Sequence, residues 1–357
     1  MPPLFLDRAG VEACLPMADC IEAVDFALRS LTRGEAVQPL RSPHWTPDRH
    51  AILVVMPGML DLTGSAALAG PDGGWILGVK VLSVVPDNHL HGEESHQGMV
   101  LLFEAERGRP LACLDAVAVT AIRTAAASAV ATRALARPDA GDLALLGSGT
   151  QARSHLDAMR AVRSLRRIRV WSRRPESARR FAEEESRRVS LPIEPMATAR
   201  EALEGADLIC TLTAATEPIL QRDWIAPGAH LNAVGACTPK ARELDADTVA
   251  AARLFVDRKE SALAESGDFL LARAEGKVTD DHILGELGEV LEGKVPGRQS
   301  KEEITLFKSL GIAVEDLAAG VWAYRRALQE IDVRSGKLDA LAERALRSHA
   351  NGESTKL

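Results

Sequence analysis

Residues 143–152 read Leu-Ala-Leu-Leu-Gly-Ser-Gly-Thr-Gln-Ala. An apolar strand runs straight into Gly147-x-Gly149-x-x-Ala152, and a helical pattern follows from Gln151. The first glycine of such a turn lets the chain reverse tightly. The second lets backbone approach a pyrophosphate, and the small third residue lets the helix pack on the strand. Phosphates then meet the free N–H groups and the positive dipole end of the helix. Glycines also make ordinary turns, so the weight comes from context: a strand before, a helix after and a second strand at the right distance. The expectation is a dinucleotide site that uses Gly147, Gly149, Thr150 and Gln151.

The second strand, 168–171, is short and apolar and ends in Ser172-Arg173-Arg174. An acidic residue here usually bonds the ribose hydroxyls of NAD. None occurs before Glu176, and guanidinium groups suit a 2′-phosphate. NADPH is therefore the expected cofactor, held at its phosphate by Ser172, Arg173 and Arg174, with NADH as the other candidate. The competing reading is a solvated basic turn.

From residue 142 onward strands and helices alternate. Candidate strands are 143–146, 168–171, 207–212, 230–234 and 253–257, a pattern that predicts an α/β fold with a doubly wound parallel sheet. Thr213 follows the third of these, at the sheet edge where such folds present ligands. Before residue 142 the pattern differs. A helix is expected over 16–33, then β-rich runs at 51–56, 75–85, 99–104 and 110–114, without intervening helices. They predict an antiparallel or mixed sheet. Residues 58–74, rich in Gly, Ala and Ser, read as a loop. A long helix over 116–136 stops at Pro138. A last helix over 314–331 lies beyond the parallel unit and can return to the first one. The expected division is a discontinuous α+β unit of 1–125 with 314–357, and a dinucleotide-binding unit of 126–313. The polar tail 352–357 is expected to fray.

The chain of 357 residues is long enough for two cores. Its net charge of −7 argues against a general nucleic-acid binder, and with 4% aromatic residues there is no stacking platform for bases. Arg123 and Arg133 interrupt the alanine-rich stretch 116–136, which makes it a core helix and not a membrane span. The first residues carry no basic leader. Cys14, Cys20, Cys113, Cys210 and Cys237 are dispersed, with no C-x-x-C pair, which suggests reduced thiols in a cytoplasmic protein. His89-x-His91-Gly-Glu93-Glu94-Ser-His96 has a spacing found in some metal sites. No further Cys or His motif completes it, so it reads as a polar loop near the cofactor, and no metal is expected.

Several separated segments keep one order along nearly the whole chain. They include Gln38-Pro39-Leu40-Arg41, Gly78-Val79-Lys80, Ile122-Arg123-Thr124-Ala125-Ala126, Leu146 to Ala152, Pro227-Gly228-Ala229-His230-Leu231-Asn232-Ala233-Val234-Gly235-Ala236, Glu265-Ser266-Gly267-Asp268 and Phe307-Lys308-Ser309-Leu310-Gly311. In these the chain resembles the ornithine cyclodeaminase/mu-crystallin family. The resemblance implies a homodimer, each subunit having a Rossmann domain and a substrate-binding and dimerisation domain built from both chain ends. It also implies chemistry at an amine or imine carbon next to a carboxylate, with a nicotinamide cofactor. Cyclodeaminases, alanine dehydrogenases, reductases of cyclic ketimine acids and a lens and hormone-binding protein belong to the family.

Arg41, Lys80 and Arg123 correspond to substrate-contacting positions of the family pattern. A small imino or amino acid needs its carboxylate clamped, which a guanidinium does best. Lys80, amid apolar neighbours, reads as a buried charge that pairs with the substrate carboxylate or carries a proton. Its plain alternative is a strand residue whose head reaches solvent; that of Arg123 is a buried structural ion pair. Ser95, His96, Thr124 and Ser309 match other cofactor contacts of the family. One departure narrows the chemistry. Cyclodeaminases and many alanine dehydrogenases of the family place an acid/base aspartate where Cys237 stands, and a thiol replaces it poorly unless its pKa is lowered. Cys237 reads as a small pocket residue. The expectation is an NADPH-dependent reductase of a small cyclic α-imino acid. The alternatives are an amino-acid dehydrogenase, an ornithine cyclodeaminase and a non-catalytic ligand carrier.

Overall fold

The computed structural model describes residues 2–65, 67–69, 74–85, 88, 91–92 and 94–334. The polar tail, His89 and Glu93 lie outside the described residues. Two sheets organise the rest. The first is built from β1 (Leu4–Leu6), β2 (Ala36–Val37), β3 (Ser42–Trp45), β4 (Ile52–Asp61), β5 (Trp75–Val84), β6 (His96–Glu104) and β7 (Pro110–Asp115), with α1 (Arg8–Cys14) and α2 (Met17–Arg33) between β1 and β2. Its order is β1-β7-β6-β5-β4-β2, with β3 also on β4. The sheet is mixed: β1 runs parallel to β7 and every other pair is antiparallel.

The expected loop 58–74 is corrected in its first part. β4 continues through Pro57 and Gly58 to Asp61, and Gly58 pairs with Gly78 of β5. Glycine weakens a strand by propensity but permits close approach. Here it does so against α11 (Ala313–Arg334). A Cβ on Gly78 would stand 2.3 Å from the Leu317 side chain, and one on Gly58 3.1 Å from Cβ of Ala313. The paired glycines form a trough in which α11 sits, packed against the first sheet.

α3 (Ala116–Leu135) links the two sheets. Asp115 caps it by accepting from the Ala118 N–H at 2.7 Å. It is apolar nearly all round, as suits a helix buried on every side. The expected boundary at 125/126 falls inside it.

The second sheet is entirely parallel. Its strands are β8 (Asp142–Leu146), β9 (Arg167–Trp171), β10 (Ile193–Pro195), β11 (Leu208–Thr211), β12 (His230–Ala233), β13 (Arg253–Val256), β14 (Ile283–Glu286) and β15 (Thr305–Lys308). Helices connect them, among them α4 (Thr150–Val162), α5 (Pro175–Val189), α6 (Ala199–Leu203), α7 (Ala246–Ala251), α8 (Lys259–Glu265), α9 (Gly267–Ala274) and α10 (Leu287–Leu291). The order is β10-β9-β8-β11-β12-β15-β13-β14. Strand order reverses between β8 and β11, which is where doubly wound sheets open a crevice for ligands. One core joins the inner face of the first sheet, α2, α3, α11 and the near face of the second; another lies on the far face. Among the described residues no helix is long and apolar enough to cross a membrane.

The outer face of the first sheet is also apolar. Pro57, Val79, Leu101, Cys113 and Phe5 stand in one row across it, and Val55, Val81 and Met99 in the next. Phe5 is 60% exposed and Met99 38%.

Candidate active site

A cleft of about 1070 Å³ opens between the sheets, at the C-terminal ends of the parallel strands. On one side β5 and α3 supply its polar groups. Lys80 sits on the inner face of β5, opposite Met56 of β4. Thr120, Arg123 and Thr124 lie on α3 at the spacing that shares a helix face, and all three line the cleft. Trp45, Ile52 and Val54 add an apolar wall.

The expected cations do meet, but each arrives with a carboxylate. Lys80 Nζ lies 2.7 Å from Oδ2 and 2.9 Å from Oδ1 of Asp316. Arg123 donates from Nε to Asp316 Oδ1 at 2.8 Å and from Nη1 to Glu315 Oε2 at 3.0 Å. Arg41 Nε stands 2.9 Å from Glu265, while its Nη2 donates to the carbonyls of Leu310 and Gly311. The bland reading of Arg123, a buried ion pair, therefore holds together with its place on the cleft wall. Among the described residues, its Nη2 takes no protein acceptor. At these three positions the cleft wall carries paired charges and not a bare positive patch.

Why these charges meet follows from the trough under α11. Ala313 and Leu317 seat on Gly58 and Gly78, which carries Glu315 and Asp316 onto Lys80 and Arg123. Gln38 fixes the start of that helix by accepting from the Val314 N–H at 3.0 Å. Asp257, at the end of β13, accepts the N–H groups of Leu310 and Gly311, both at 2.6 Å. Gly311 has φ +76°, and a Cβ there would lie 2.4 Å from Nη1 of Arg123. Only glycine provides both the turn and the room.

Burial governs the titration of the cluster. Desolvation, and after it the neighbouring Arg123, brings the Lys80 ammonium down to about 8. Burial likewise raises the Glu315 carboxyl to about 8, against the pull of Arg123. Asp316 goes the other way: burial opposes its charge, but Arg123 and Lys80 hold it below the usual carboxylate range.

The opposite wall belongs to the parallel sheet. Thr150 and Gln151 at the start of α4, Thr213 after β11, Cys237 after β12 and Ser309 after β15 all line the cleft. Ser95 and His96 approach from the start of β6, joined by a 2.9 Å hydrogen bond. The side-chain oxygens of Gln151 and Ser309 are buried and, among the described residues, lack a protein partner. Thr213 is more engaged, since its hydroxyl donates to Glu243 at 2.7 Å. The Cys237 thiol donates to the Val234 carbonyl at 3.2 Å.

Gly147, Ser172, Arg173 and Arg174 lie outside the cleft, beyond the ends of β8 and β9. Gly147 has φ +128°, and its N–H donates to the Trp171 carbonyl at 2.8 Å, which ties the turn to the end of β9. Gly149 is the N-cap of α4, with no side-chain cap, and open space where its Cβ would be. A smaller hollow of about 620 Å³ adjoins it, lined in part by Ser148, Gly149, Ser177 and Arg180. An uncapped helix start beside open space fits a phosphate group. Arg173 and Arg174 are exposed. Among the described residues neither has an ion-pair partner, whereas nearby Arg153, Arg167 and Arg188 are all paired. Among the described residues no three His, Cys, Asp or Glu side chains converge as a metal site.

The sequence pattern of the Ornithine cyclodeaminase/mu-crystallin family matches residues 1–330. The chain belongs to this family. Among relatives, the ketimine reductase mu-crystallin of Mus musculus is 39% identical over 326 residues, 90% of this chain and 96% of that protein. A Delta(1)-pyrroline-2-carboxylate reductase of Bacillus cereus is 34% identical over 314 residues, 88% of this chain and 93% of that protein. Among solved structures, the Delta(1)-pyrroline-2-carboxylate reductase of Thermococcus litoralis, in complex with NADH and L-proline, superimposes with a TM-score of 0.85. It is 38% identical and covers 92% of this chain and 98% of its own. The Rossmann-like arrangement of the parallel sheet is thus that of the ornithine cyclodeaminase/mu-crystallin family.

The carboxylate partners escaped the sequence reading. Glu315 and Asp316 follow each other at the start of an apolar helix, a visible anomaly, but nothing local says that they face Lys80 and Arg123. Glu265 falls in a quoted family segment without an assigned role. Asp257 and Glu243 carry no motif at all.

Proposed function

We propose that this protein reduces the C=N bond of a small cyclic α-imino acid, of the Δ1-pyrroline-2-carboxylate or Δ1-piperideine-2-carboxylate type, with a reduced nicotinamide dinucleotide, NADPH by preference. The observation that carries the reading is the Arg123 guanidinium. Two of its nitrogens are fixed by Asp316 and Glu315 on the wall of the cleft that also holds Thr150 and Gln151. With Nε and Nη1 held in this way the plane of the guanidinium is fixed, and Nη2 is left to donate to a substrate carboxylate.

Arg123, with Arg41 and Lys80, holds the substrate carboxylate. Thr150, Gln151, Thr213, Thr124, Ser95, His96 and Ser309 hold the nicotinamide half of the cofactor. The turn at Gly147 and Gly149 receives the pyrophosphate, and Ser172, Arg173 and Arg174 the 2′-phosphate. Reduced nicotinamide supplies the hydride when bound. Lys80 Nζ supplies the proton for the ring nitrogen. The relatives' activities support the reductase, as does Cys237, which leaves a cyclodeaminase without its carboxylate. We assign substrate binding to 1–125 with 314–357 and dinucleotide binding to 126–313. The unbridged cysteines support a reducing compartment, the cytoplasm.

A panel of cyclic ketimine acids, oxo acids with ammonia, and ornithine, run with NADPH and NADH, tests the reading. Loss of NADPH with a cyclic ketimine is expected. Ammonia release from ornithine without net cofactor change, or tight binding with no turnover on any substrate, overturns it. The pH profile adds a signed check. The protonated Lys80 is the donor and is present below its pKa of about 8. The rate of reduction should therefore fall as pH rises through about 8, with the limb displaced upward once the substrate carboxylate is bound.

We also propose a homodimer through the outer face of the first sheet. The apolar row Pro57, Val79, Leu101, Cys113 and Phe5 across it supports this, because an exposed apolar sheet face calls for a partner. Leu101→Lys, in the middle of that face, should convert the dimer to monomer in sedimentation equilibrium. A wild-type monomer at micromolar concentration would refute the assembly.

A further inference from the structure

The hydrogen-bond ladder between β11 and β12 ends at Thr211 and Ala233. Past it both strands leave the sheet and become the cleft wall, as Thr213 with Ala214 and as Gly235 with Cys237. One buried side chain spans the gap. Oε1 of Glu243 accepts from the Thr213 N–H at 2.6 Å and the Thr213 hydroxyl at 2.7 Å. Oε2 accepts from the Gly235 N–H at 2.8 Å and the Thr211 hydroxyl at 2.7 Å.

The two bends are in backbone contact as well. A Cβ on Gly235 would lie 2.1 Å from the Thr213 carbonyl oxygen and 2.6 Å from Oε1 of Glu243. The carboxylate is itself anchored. The N–H groups of Glu243 and Leu244 donate to Asp268 Oδ1 at 2.8 and 3.0 Å, and Lys308, the last residue of β15, pairs with Asp268 Oδ2 at 3.0 Å. Glu243 is wholly buried, and Lys308 and Asp268 nearly so. Three strand ends are thereby locked to one another behind the cleft.

A buried charge is costly unless its acceptor sites are filled, and a longer ladder would join two strands without one. What the carboxylate does instead is stop the ladder and set both bends at once. We propose that Glu243 is a positioning residue: it fixes the backbone at Thr213 and Gly235 as the seat of the nicotinamide end of the dinucleotide. The inference rests on the cofactor reading above. It assigns Glu243 no contact with substrate.

The test separates the two ends of the cofactor. Affinities for NADPH and for 2′-phospho-ADP-ribose, which lacks the nicotinamide, are measured by calorimetry on wild type, Glu243→Gln and Thr211→Val. Glutamine keeps the shape but turns an N–H₂ toward converging donors. It should weaken NADPH by about tenfold or more, as expected for a network with a donor facing donors, and leave 2′-phospho-ADP-ribose within about twofold. Thr211→Val removes one donor from a site outside the cleft. It should show the same split on a smaller scale, and it carries the test if Glu243→Gln does not fold. Equal weakening of both nucleotides, or unchanged NADPH affinity, overturns the positioning role alone. A wild type that binds neither nucleotide overturns the cofactor reading and this inference with it.

Discussion

Arg123→Met is expected to lower kcat/KM for a cyclic ketimine acid by roughly a thousandfold, the scale of removing one partner from a desolvated charge pair. Affinity for NADPH should stay within about threefold, because the groups assigned to the cofactor belong mainly to other elements. The stability cost is softened by the environment of the arginine. Lys80 remains beside Asp316, and Glu315, raised to about 8 by burial even beside the guanidinium, is mostly protonated at neutral pH and leaves no stranded charge when Arg123 is gone. Breaking a buried pair outright costs about 3–5 kcal/mol, and a carboxyl that protonates escapes part of it. The variant should fold with a lowered Tm. Steady-state kinetics with a parallel NADPH titration reads both quantities. Undiminished kcat/KM would remove Arg123 from the substrate site and leave it as a structural ion pair.

Arg173→Asp is the second large effect, and it acts on cofactor choice. A charge-assisted hydrogen bond to a phosphate contributes about 1.5–3 kcal/mol, so loss and reversal of the charge should weaken NADPH roughly thirtyfold or more. NADH, which lacks the 2′-phosphate, should change little or improve. Arg173 is suited to the test because it is exposed and, among the described residues, has no ion-pair partner to lose. Equal changes for both cofactors would mean that the end of β9 does not read the ribose. The solved Thermococcus litoralis relative holds NADH, which makes this comparison the direct measure of preference.

Most of the parallel sheet was legible because short, buried strands with apolar residues at their centre, next to amphipathic helices, leave a strong periodic trace. β8, β9, β11, β12 and β13 lie within a residue or two of their expected positions. β10, β14 and β15 left none. β10 has three residues and a proline, β14 contains Gly285, and β15 ends in Lys308, whose charge is paired with Asp268 from a distant helix. β3 carries Pro43 and is exposed throughout, so no alternation marks it. The cations of the site were readable as polar interruptions in apolar runs. Their carboxylates were not, because pairing across the fold has no local signature. Arg41, Lys80 and Arg123 could be named from sequence, but their neutralisation could not.

The trough of Gly58 and Gly78 has a bearing on how the protein is made. Asp316 follows Arg123 by 193 residues. During synthesis Lys80 and Arg123 therefore leave the ribosome long before their counter-charges exist. Closing the first sheet around them at that stage would strand two cations in a dry interior. Its inner face must stay wet until α11 is translated and drops into place, so the half of the molecule that emerges first is the half that finishes folding last.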